Sequence, residues 1–583
     1  MNEHSEKLPA LRHSLAHLLA AAVKELYPDA KATIGPAIET GFYYDFEFSS
    51  PLSEAELPNI ENKMRELLPN WDSFASRVVS LEEVTAQFPG NPYKAELAKE
   101  VSDRSEKITF YTCGDFTDLC RGGHSENPSK EIPADAFKLD RIAGAYWRGD
   151  EKNKMLTRIY GLAFESKEKL DSYLQQQEEA LKRDHRKLGK ELDLFTFSEL
   201  VGSGLPLFTP KGTILRDEIN AYSQGLRLSR GFQKVWVPHI AKTDLYKTSG
   251  HWDKFGDELF LVKSQETDDE FVFKPMNCPH HQQIYASKPR SYRDLPLRYM
   301  ETTTIYRDEK KGELAGLSRV RSITQDDSHL FCTPDQIDEE YQSIMEMVVE
   351  FYHTMGMKFR ARLSFRDPAQ PEKYIGEESL WDRAQDTLTR IAERNNFEHF
   401  IGIGEAAFYG PKIDFMATDA IGREHQLATA QLDFVQPARF GLTYADSDGA
   451  EKTPVMTHLA IAGSLERFLS VYIEHTAGAF PLWVAPVQIK ILPVSEKHSE
   501  HGLKIQKKLQ EAGIRAVLDT SNETLGKKVR GTKLEKVPAW LVIGDKEIEA
   551  GTLTLERRDS DTKENHTLSS LISSLTKEIS ERR

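Results

Sequence analysis

Two arginine-bearing segments, Arg307-Asp308-Glu309 and Gly463-Ser464-Leu465-Glu466-Arg467-Phe468, lie far apart in the chain and carry chemistry suited to a nucleoside triphosphate. A guanidinium fork is planar and permanently charged, so it clamps phosphate oxygens, and a carboxylate two residues on can accept from the exocyclic amine of a base. Between them, Arg319-Val320-Arg321-Ser322-Ile323-Thr324-Gln325-Asp326-Asp327-Ser328-His329 is dense in donors and acceptors. Taken singly, any of these arginines is more often a surface ion-pair partner. A second reactive group lies near the N-terminus. His13 and His17 are four residues apart, which on a helix places both imidazoles on one face. Asp118-Leu119-Cys120-Arg121-Gly122-Gly123-His124 sets a thiol and an imidazole in one short loop. The helical pair has no Glu after its first His, so it is not the zinc-protease motif.

The elements that must hold these groups are partly legible. Leu11 to Tyr27 reads as an amphipathic helix ended by Pro28-Asp29, and Gly41-Phe42-Tyr43-Tyr44-Asp45-Phe46 as a strand. Residues 166–190 are highly charged and rich in helix formers, which suits a helical linker. The block from Asp193 to Pro486 alternates strands and helices, with Gly231 to Pro238 reading as a strand closed by proline. The last block opens on the apolar strand Val487 to Val494, then a helix from Ser499 to Ala512 and strands at Arg515 to Leu518 and Ala539 to Gly544. Such alternation implies a mostly parallel α/β unit.

A chain of 583 residues is too long for one core. No stretch has the length and uniform apolarity of a membrane helix, and the start, Met1-Asn2-Glu3-His4-Ser5-Glu6, lacks a signal-peptide apolar region; we expect a cytoplasmic protein with no membrane partner. Four cysteines do not make a disulfide framework, which leaves reduced thiols for metal or chemistry. The net charge of −15 opposes a polyanionic partner at face value. From Pro486 onward, however, 18 Lys and Arg face 15 Asp and Glu, a balance of +3 that permits nucleic acid without proving it.

The arginine segments resemble motifs 2 and 3 of class II aminoacyl-tRNA synthetases, and Gln325-Asp326-Asp327-Ser328-His329 with Met276-Asn277-Cys278-Pro279 resembles the threonyl-tRNA synthetases in particular. The resemblance covers almost the whole chain. It implies an α+β multidomain protein: an editing domain over residues 1–165, a helical linker over 166–190, a class II antiparallel catalytic sheet with flanking helices over 191–485, and an α/β anticodon-binding domain over 486–583. The strand at Gly231 is similar to motif 1 and implies a homodimer. The implied partners are tRNA(Thr), L-threonine and ATP with Mg2+. Arg307 would hold the α-phosphate, Glu309 the adenine amine, and Arg319 and Arg467 the terminal phosphates or the ring. Cys278, His329 and His458 would hold one Zn2+; they lie 51 and 129 residues apart, so only the resemblance unites them. Thiolate and imidazole are ligands zinc prefers, and three of them leave a position open. A cation meeting the amino group and side-chain hydroxyl, with Asp327 accepting the hydroxyl proton, would reject valine, whereas an apolar pocket discriminates poorly. Serine keeps both groups, so an editing step is expected. Met276, Gln325, Tyr409, Lys412, Gln426 and Gln431 are carried over as contacts to substrate, and His251 as assisting transfer to the ribose.

His13, His17, Cys120 and His124 resemble the editing centre of this family. The implied activity is hydrolysis of seryl-tRNA, with His13 or His17 as base, Lys94 stabilising developing negative charge, Cys120 and His124 shaping a pocket that threonine's methyl cannot enter, Asp118 in the same set, and a zinc-bound version still open. Asn522 and Glu547 would read the anticodon, although capping and turn formation suit them almost as well. The chain departs from the family's pattern in four places. No ubiquitin-like domain is expected before the editing module, whose helix starts close to the first residue. His280 replaces Gly after Cys-Pro, where it would compete for metal or face solvent. Ile323 replaces Phe, removing a stacking face for adenine. Gly123 replaces Pro, which should loosen its loop. Two rival readings stay open: an RNA-binding regulator that no longer charges, and a deacylase working through residues 1 to about 185.

Overall fold

The computed structural model describes residues 3–395 and 397–582, so Met1 and Asn2 of the polar start lie outside it. Two compact units divide at Glu178 and Glu179. The charged segment read as one linker helix is broken into Lys167–Arg183 and α2 (His185–Glu191), with Asp184 capping the second through Arg186 N–H at 2.8 Å. An Asp at that position offers the backbone a competing hydrogen bond and so restarts the helix.

In the first unit, helix α1 spans Glu3–Leu26 and buries Leu15, Leu18, Leu19, Ala22 and Val23. It begins earlier than its apolar stripe, because the stripe reports packing whereas helical hydrogen bonding continues into polar sequence. The helix packs on an antiparallel sheet in which Gly41–Glu47 is an inner strand, paired with Met155–Ala163 and, through it, with Phe137–Tyr146. A separate three-stranded sheet, Ala75–Val78, Thr109–Cys113 and Phe116–Leu119, ends at the loop of Cys120.

The second unit is built on eight strands: β1 (Gln233–Lys234), β2 (Leu297–Tyr306), β3 (Ser322–Cys332), β4 (Lys358–Phe365), β5 (His399–Ile403), β6 (Lys412–Thr418), β7 (Glu424–Asp433) and β8 (Val455–Ser464), in the order β1-β2-β3-β8-β7-β6-β4-β5. All neighbours are antiparallel except β1 with β2 and β4 with β5. The expected Gly231–Pro238 strand shrinks to β1, which pairs on one side only; Val235 N–H still bonds to Met300 O at 3.1 Å. Helices α3 (Pro210–Ser229) and α4 (Leu465–His475) pack on this sheet. Central β3 carries buried Asp326, Asp327, Ser328 and His329, and such a strand folds only if each polar group is satisfied. Asp326 accepts from Ser223 Oγ at 2.7 Å and from the N–H groups of Ile461, Ala462 and Gly463 at 3.2, 2.8 and 2.8 Å, and Arg227 donates to the carbonyls of Asp326 and Asp327.

The C-terminal module holds three parallel strands, Ala516–Leu518, Ile489–Pro493 and Ala539–Ile543, followed by two antiparallel ones, Leu553–Arg557 and Ser560–His566. The α/β expectation therefore meets a mixed sheet whose second half is a hairpin. Among the described residues no helix is long and apolar enough to cross a membrane.

Candidate functional site

Strand register assembles the first site. Lys412 lies opposite Gln431, Gln431 opposite His458 and His458 opposite His329, one row across β6, β7, β8 and β3. Directly opposed residues in antiparallel strands share a face with their Cβ atoms about 5 Å apart. The row floors a cavity of about 550 Å³ that His251, Met276, Cys278, Arg307, Gln325, Asp327 and Tyr409 also line. Glu309, Arg319, Arg467 and Gln426 are not among its lining residues. The Glu309 carboxylate accepts from Arg319 Nε at 2.8 Å, Arg319 also reaches Glu313 at 2.6 Å, and Gln426 Oε1 accepts from Arg362 at 2.7 Å. Burial and then the Arg319 cation lower the Arg467 pKa.

Cys278, His329 and His458 are buried, and their ligand atoms all lie within 4.8 Å of one another. His458 Nε2 meets Asp433 at 2.9 Å, leaving Nδ1 to face His329 Nε2 at 3.0 Å; the other His329 nitrogen meets His281 Nδ1 at 2.8 Å. Outer partners of this kind aim ligand nitrogens inward. Burial pushes the Cys278 thiol well up and the His329 imidazole well down, so each favours its neutral form. One thiol and two imidazoles so placed fit a zinc ion with an open position. Asp327 accepts from Asn277 Nδ2 at 3.0 Å, and Tyr409 donates to Gln431 Oε1 at 2.5 Å while stacking on His458. Lys412 Nζ lies 3.1 Å from Asp414. His251 Nδ1 meets Ser249 Oγ at 2.7 Å, and burial, helped by the His458 and Arg307 charges, lowers its pKa to about 3.

His280 neither competes for metal nor faces solvent. It is 8% exposed, stands outside the ligand cluster with its ring edge on Tyr246, and neither ring nitrogen has a hydrogen-bond partner among the described residues. The imidazole that engages the ligands is its neighbour His281. Sequence offered a signal for it, since His281 follows Cys278 by three residues at the start of the helix Cys278–Ala286. Asp433 and the Asp326–Arg227 pairing had no local signal.

The second site is a cavity of about 420 Å³ lined by His13, His17, Tyr44, Lys94, Asp118 and Cys120. Cys120 Sγ lies 3.5 Å from His13 Nε2 and 3.4 Å from His124 Nε2, and accepts from Gly122 N–H at 3.4 Å. His17 meets His13 at 3.3 Å and Asp118 at 3.2 Å, and Asp118 also pairs with Lys94. Tyr44 donates to Asp118 at 2.5 Å and accepts from Lys94 at 3.0 Å. Burial opposes charge on His17, yet the hydrogen bonds with Asp118 and Cys120 raise its pKa to about 9. Burial would likewise raise the Cys120 thiol, but hydrogen bonds from His124, His13 and His17 bring it down to about 3. Burial lowers His124, whose ring stacks on Phe74 with centroids 3.9 Å apart. The Lys94 ammonium is buried and already paired, so it anchors Asp118. Gly123 adopts φ +87°, which proline cannot reach, and with Gly122 at +94° it shapes the turn that brings Cys120 and His124 together. The glycine does more than loosen the loop.

Asn522 is exposed just before the helix Leu525–Leu534, whereas the Glu547 carboxylate accepts from Gly544 N–H at 2.9 Å and caps the helix Asp545–Ala550.

Residues 260–476 match the class II tRNA synthetase core domain (G, H, P, S and T), residues 488–578 an anticodon binding domain, and residues 108–160 the threonyl and alanyl tRNA synthetase second additional domain. The chain is 47% identical over 571 residues to the threonine--tRNA ligase of Gloeobacter violaceus, covering 97% of this chain and 91% of that one. It is 46% identical over 588 residues to that of Thermus thermophilus, covering 98% and 89%. The crystal structure titled RNA binding domain of threonyl-tRNA synthetase from Cryptosporidium parvum aligns with a TM-score of 0.65 at 36% identity, over 68% of this chain and 98% of that one. The chain belongs to the threonyl-tRNA synthetase family.

Proposed function

We propose that this member of the threonyl-tRNA synthetase family joins threonine to tRNA(Thr) through threonyl-adenylate, selects threonine over valine with a zinc ion held by Cys278, His329 and His458, and hydrolyses seryl-tRNA(Thr) at the His13–Cys120 cluster. The observation that carries the selection step is the convergence of those three ligands beside Asp327 and Arg307 in one cavity. Zinc bound there would supply a Lewis acid which, expanding to five ligands, would take both an amino group and a side-chain hydroxyl. Asp327 accepts the hydroxyl proton, and Tyr409 and Gln431 wall the amino-acid end. Arg307 neutralises the α-phosphate of ATP bound with Mg2+ while a threonine carboxylate oxygen attacks phosphorus in line and diphosphate leaves. Arg319 and Arg467 receive the terminal phosphates, Glu309 takes the adenine amine, and Lys412 stands at the reacting end. With its pKa near 3, His251 stays neutral at pH 7 and orients the ribose hydroxyl that accepts the threonyl group.

In the editing cluster, Asp118 and the Cys120 thiolate are balanced by Lys94 and the His17 imidazolium, so charge is compensated without a metal. His17, already cationic, faces the developing oxyanion, and His13, the other candidate base and a residue lining the cavity, takes the proton from water. Water oxygen attacks the ester carbon, the ribose oxygen leaves with the proton returned by His13, and serine is released.

Residues 1–165, 166–190, 191–485 and 486–583 serve as editing, linker, catalytic and anticodon modules, with Asn522 and Glu547 reading bases. A homodimer fits the edge position of β1 and the 74% exposure of the adjoining Trp236. A cytoplasmic site of action suits a translation enzyme. Exchange of labelled diphosphate into ATP tests the reading: threonine should stimulate it and the purified chain should carry one zinc, whereas stimulation by another amino acid would overturn it.

A further inference from the structure

We propose that His185, at the start of α2, is a positioning residue for ATP: it ties the loop carrying Arg319 to α4, whose first turn carries Arg467. This rests on the reading of those two arginines given above.

His185 is buried, and both its backbone N–H and its Nδ1 meet Glu474 Oε1, at 3.1 and 2.7 Å. Its Nε2 lies 3.1 Å from the N–H of Leu317. A carboxylate can only accept and an amide N–H only donate, so the ring must carry its proton on Nδ1 and its lone pair on Nε2. Asp184, His185 and Glu474 lie close enough to hold a metal, but both ring nitrogens are committed and Glu474 Oε2 accepts from Arg423 at 2.5 Å. The cluster is therefore a latch.

What the latch grips is the tip of the loop between β2 and β3. Leu317 is buried, and Ser318 N–H closes a tight turn on Ala315 O at 2.9 Å. Gly316 in that turn has φ +53°, and a β-carbon there would come within 2.3 Å of His185 Nε2. The ring thus contacts two successive residues of the turn, one by hydrogen bond and one by a fit only glycine permits. Arg319 follows Leu317 by two residues; Glu474, the other partner, lies on α4 seven residues, or about two turns, after Arg467. One imidazole thus joins the two segments, the Leu317 turn and α4, that carry the two arginines read as phosphate-binding. Holding them in place beforehand spares ATP the cost of ordering the loop.

The experiment is threonine-dependent diphosphate exchange with the full chain, comparing His185→Ala, His185→Gln, Gly316→Ala, and a double variant that carries both alanine changes. His185→Ala should raise KM for ATP roughly tenfold, the effect of one lost hydrogen bond, and move KM for threonine by less than about twofold. His185→Gln, with a donor and an acceptor on one side chain, should recover most of the loss. Gly316→Ala should reproduce the ATP defect alone and cost less in the His185→Ala background, where the closest clash is gone and Arg186 Cγ, at 2.8 Å, is the neighbour that must give. Parallel rises in both KM values, an unmoved KM for ATP, or strict additivity of the two changes overturns the latch. No threonine-dependent exchange in the unchanged protein would instead defeat the functional reading on which the latch rests.

Discussion

The two thiol–imidazole clusters use the same donor types and shift their thiols in opposite directions. In each, ligand atoms lie within 4.8 Å of one another, yet Cys278 is pushed well up as a thiol while Cys120 is drawn down to about 3. The cause is what stands behind the donors. Around Cys278, burial dominates and the nearest carboxylates, Asp327 and Asp433, oppose a thiolate. Around Cys120, three imidazoles donate to sulfur, and Asp118 with Lys94 holds one of them cationic. A buried thiol and imidazole held neutral fit a cation, whereas a thiolate facing an imidazolium fits proton transfer. Composition alone does not separate a metal site from a hydrolytic one.

The contrast can be broken most directly by deleting each thiol. Cys278→Ala should remove bound zinc and cut threonine-dependent exchange by more than about a hundredfold, since changes to outer partners alone typically cost about 10–100-fold. Seryl-tRNA hydrolysis by the same variant should be unchanged, and metal analysis with both assays would show whether the sites are independent. The double change His13→Ala and Cys120→Ala should do the reverse, lowering seryl-tRNA hydrolysis roughly a hundredfold or more with exchange intact, as loss of a general base implies. Unaltered hydrolysis would remove His13 from its role.

Smaller effects sharpen the comparison. Asp433→Asn leaves the ligands in place but loosens His458, so zinc affinity should fall roughly tenfold or more in a chelator competition. For the other cluster the pH sign is fixed by His17. Its folded pKa of about 9 lies above the ordinary 6.5, so its cation and the stability it contributes are fully present below 6.5 and are lost as pH rises through 9. Seryl-tRNA hydrolysis should therefore decline on the alkaline side near pH 9, and Asp118→Asn should move that limb to lower pH. The smallest change is expected from Ile323→Phe. A stacking face beside adenine is worth about 0.5–1 kcal/mol, so KM for ATP should fall about two- to fivefold with kcat nearly constant.

The departures from pattern show where local reading fails. His280 is conspicuous in the sequence as an imidazole out of place, yet it is buried without a partner among the described residues while His281 beside it does the orienting. Gly123 in place of proline suggests a loss of rigidity, yet it holds a backbone conformation closed to proline. The single linker helix splits at Asp184, and the residue that opens the second half, His185, makes the long-range contacts to Leu317 and Glu474. In each case the deciding partner or backbone angle is invisible to a local reading.

Sequence by itself determined the chemical inventory, the helix pairing of His13 with His17, the order of the modules and the family, because residue types and short-range periodicity are local properties. Only the tertiary structure decided that His329 meets His458 across neighbouring strands, that Asp433 and His281 aim them, and that one thiol is neutral and the other ionised. Register and burial are set by segments far apart in the chain, and protonation follows from the charges those segments bring within a few ångströms.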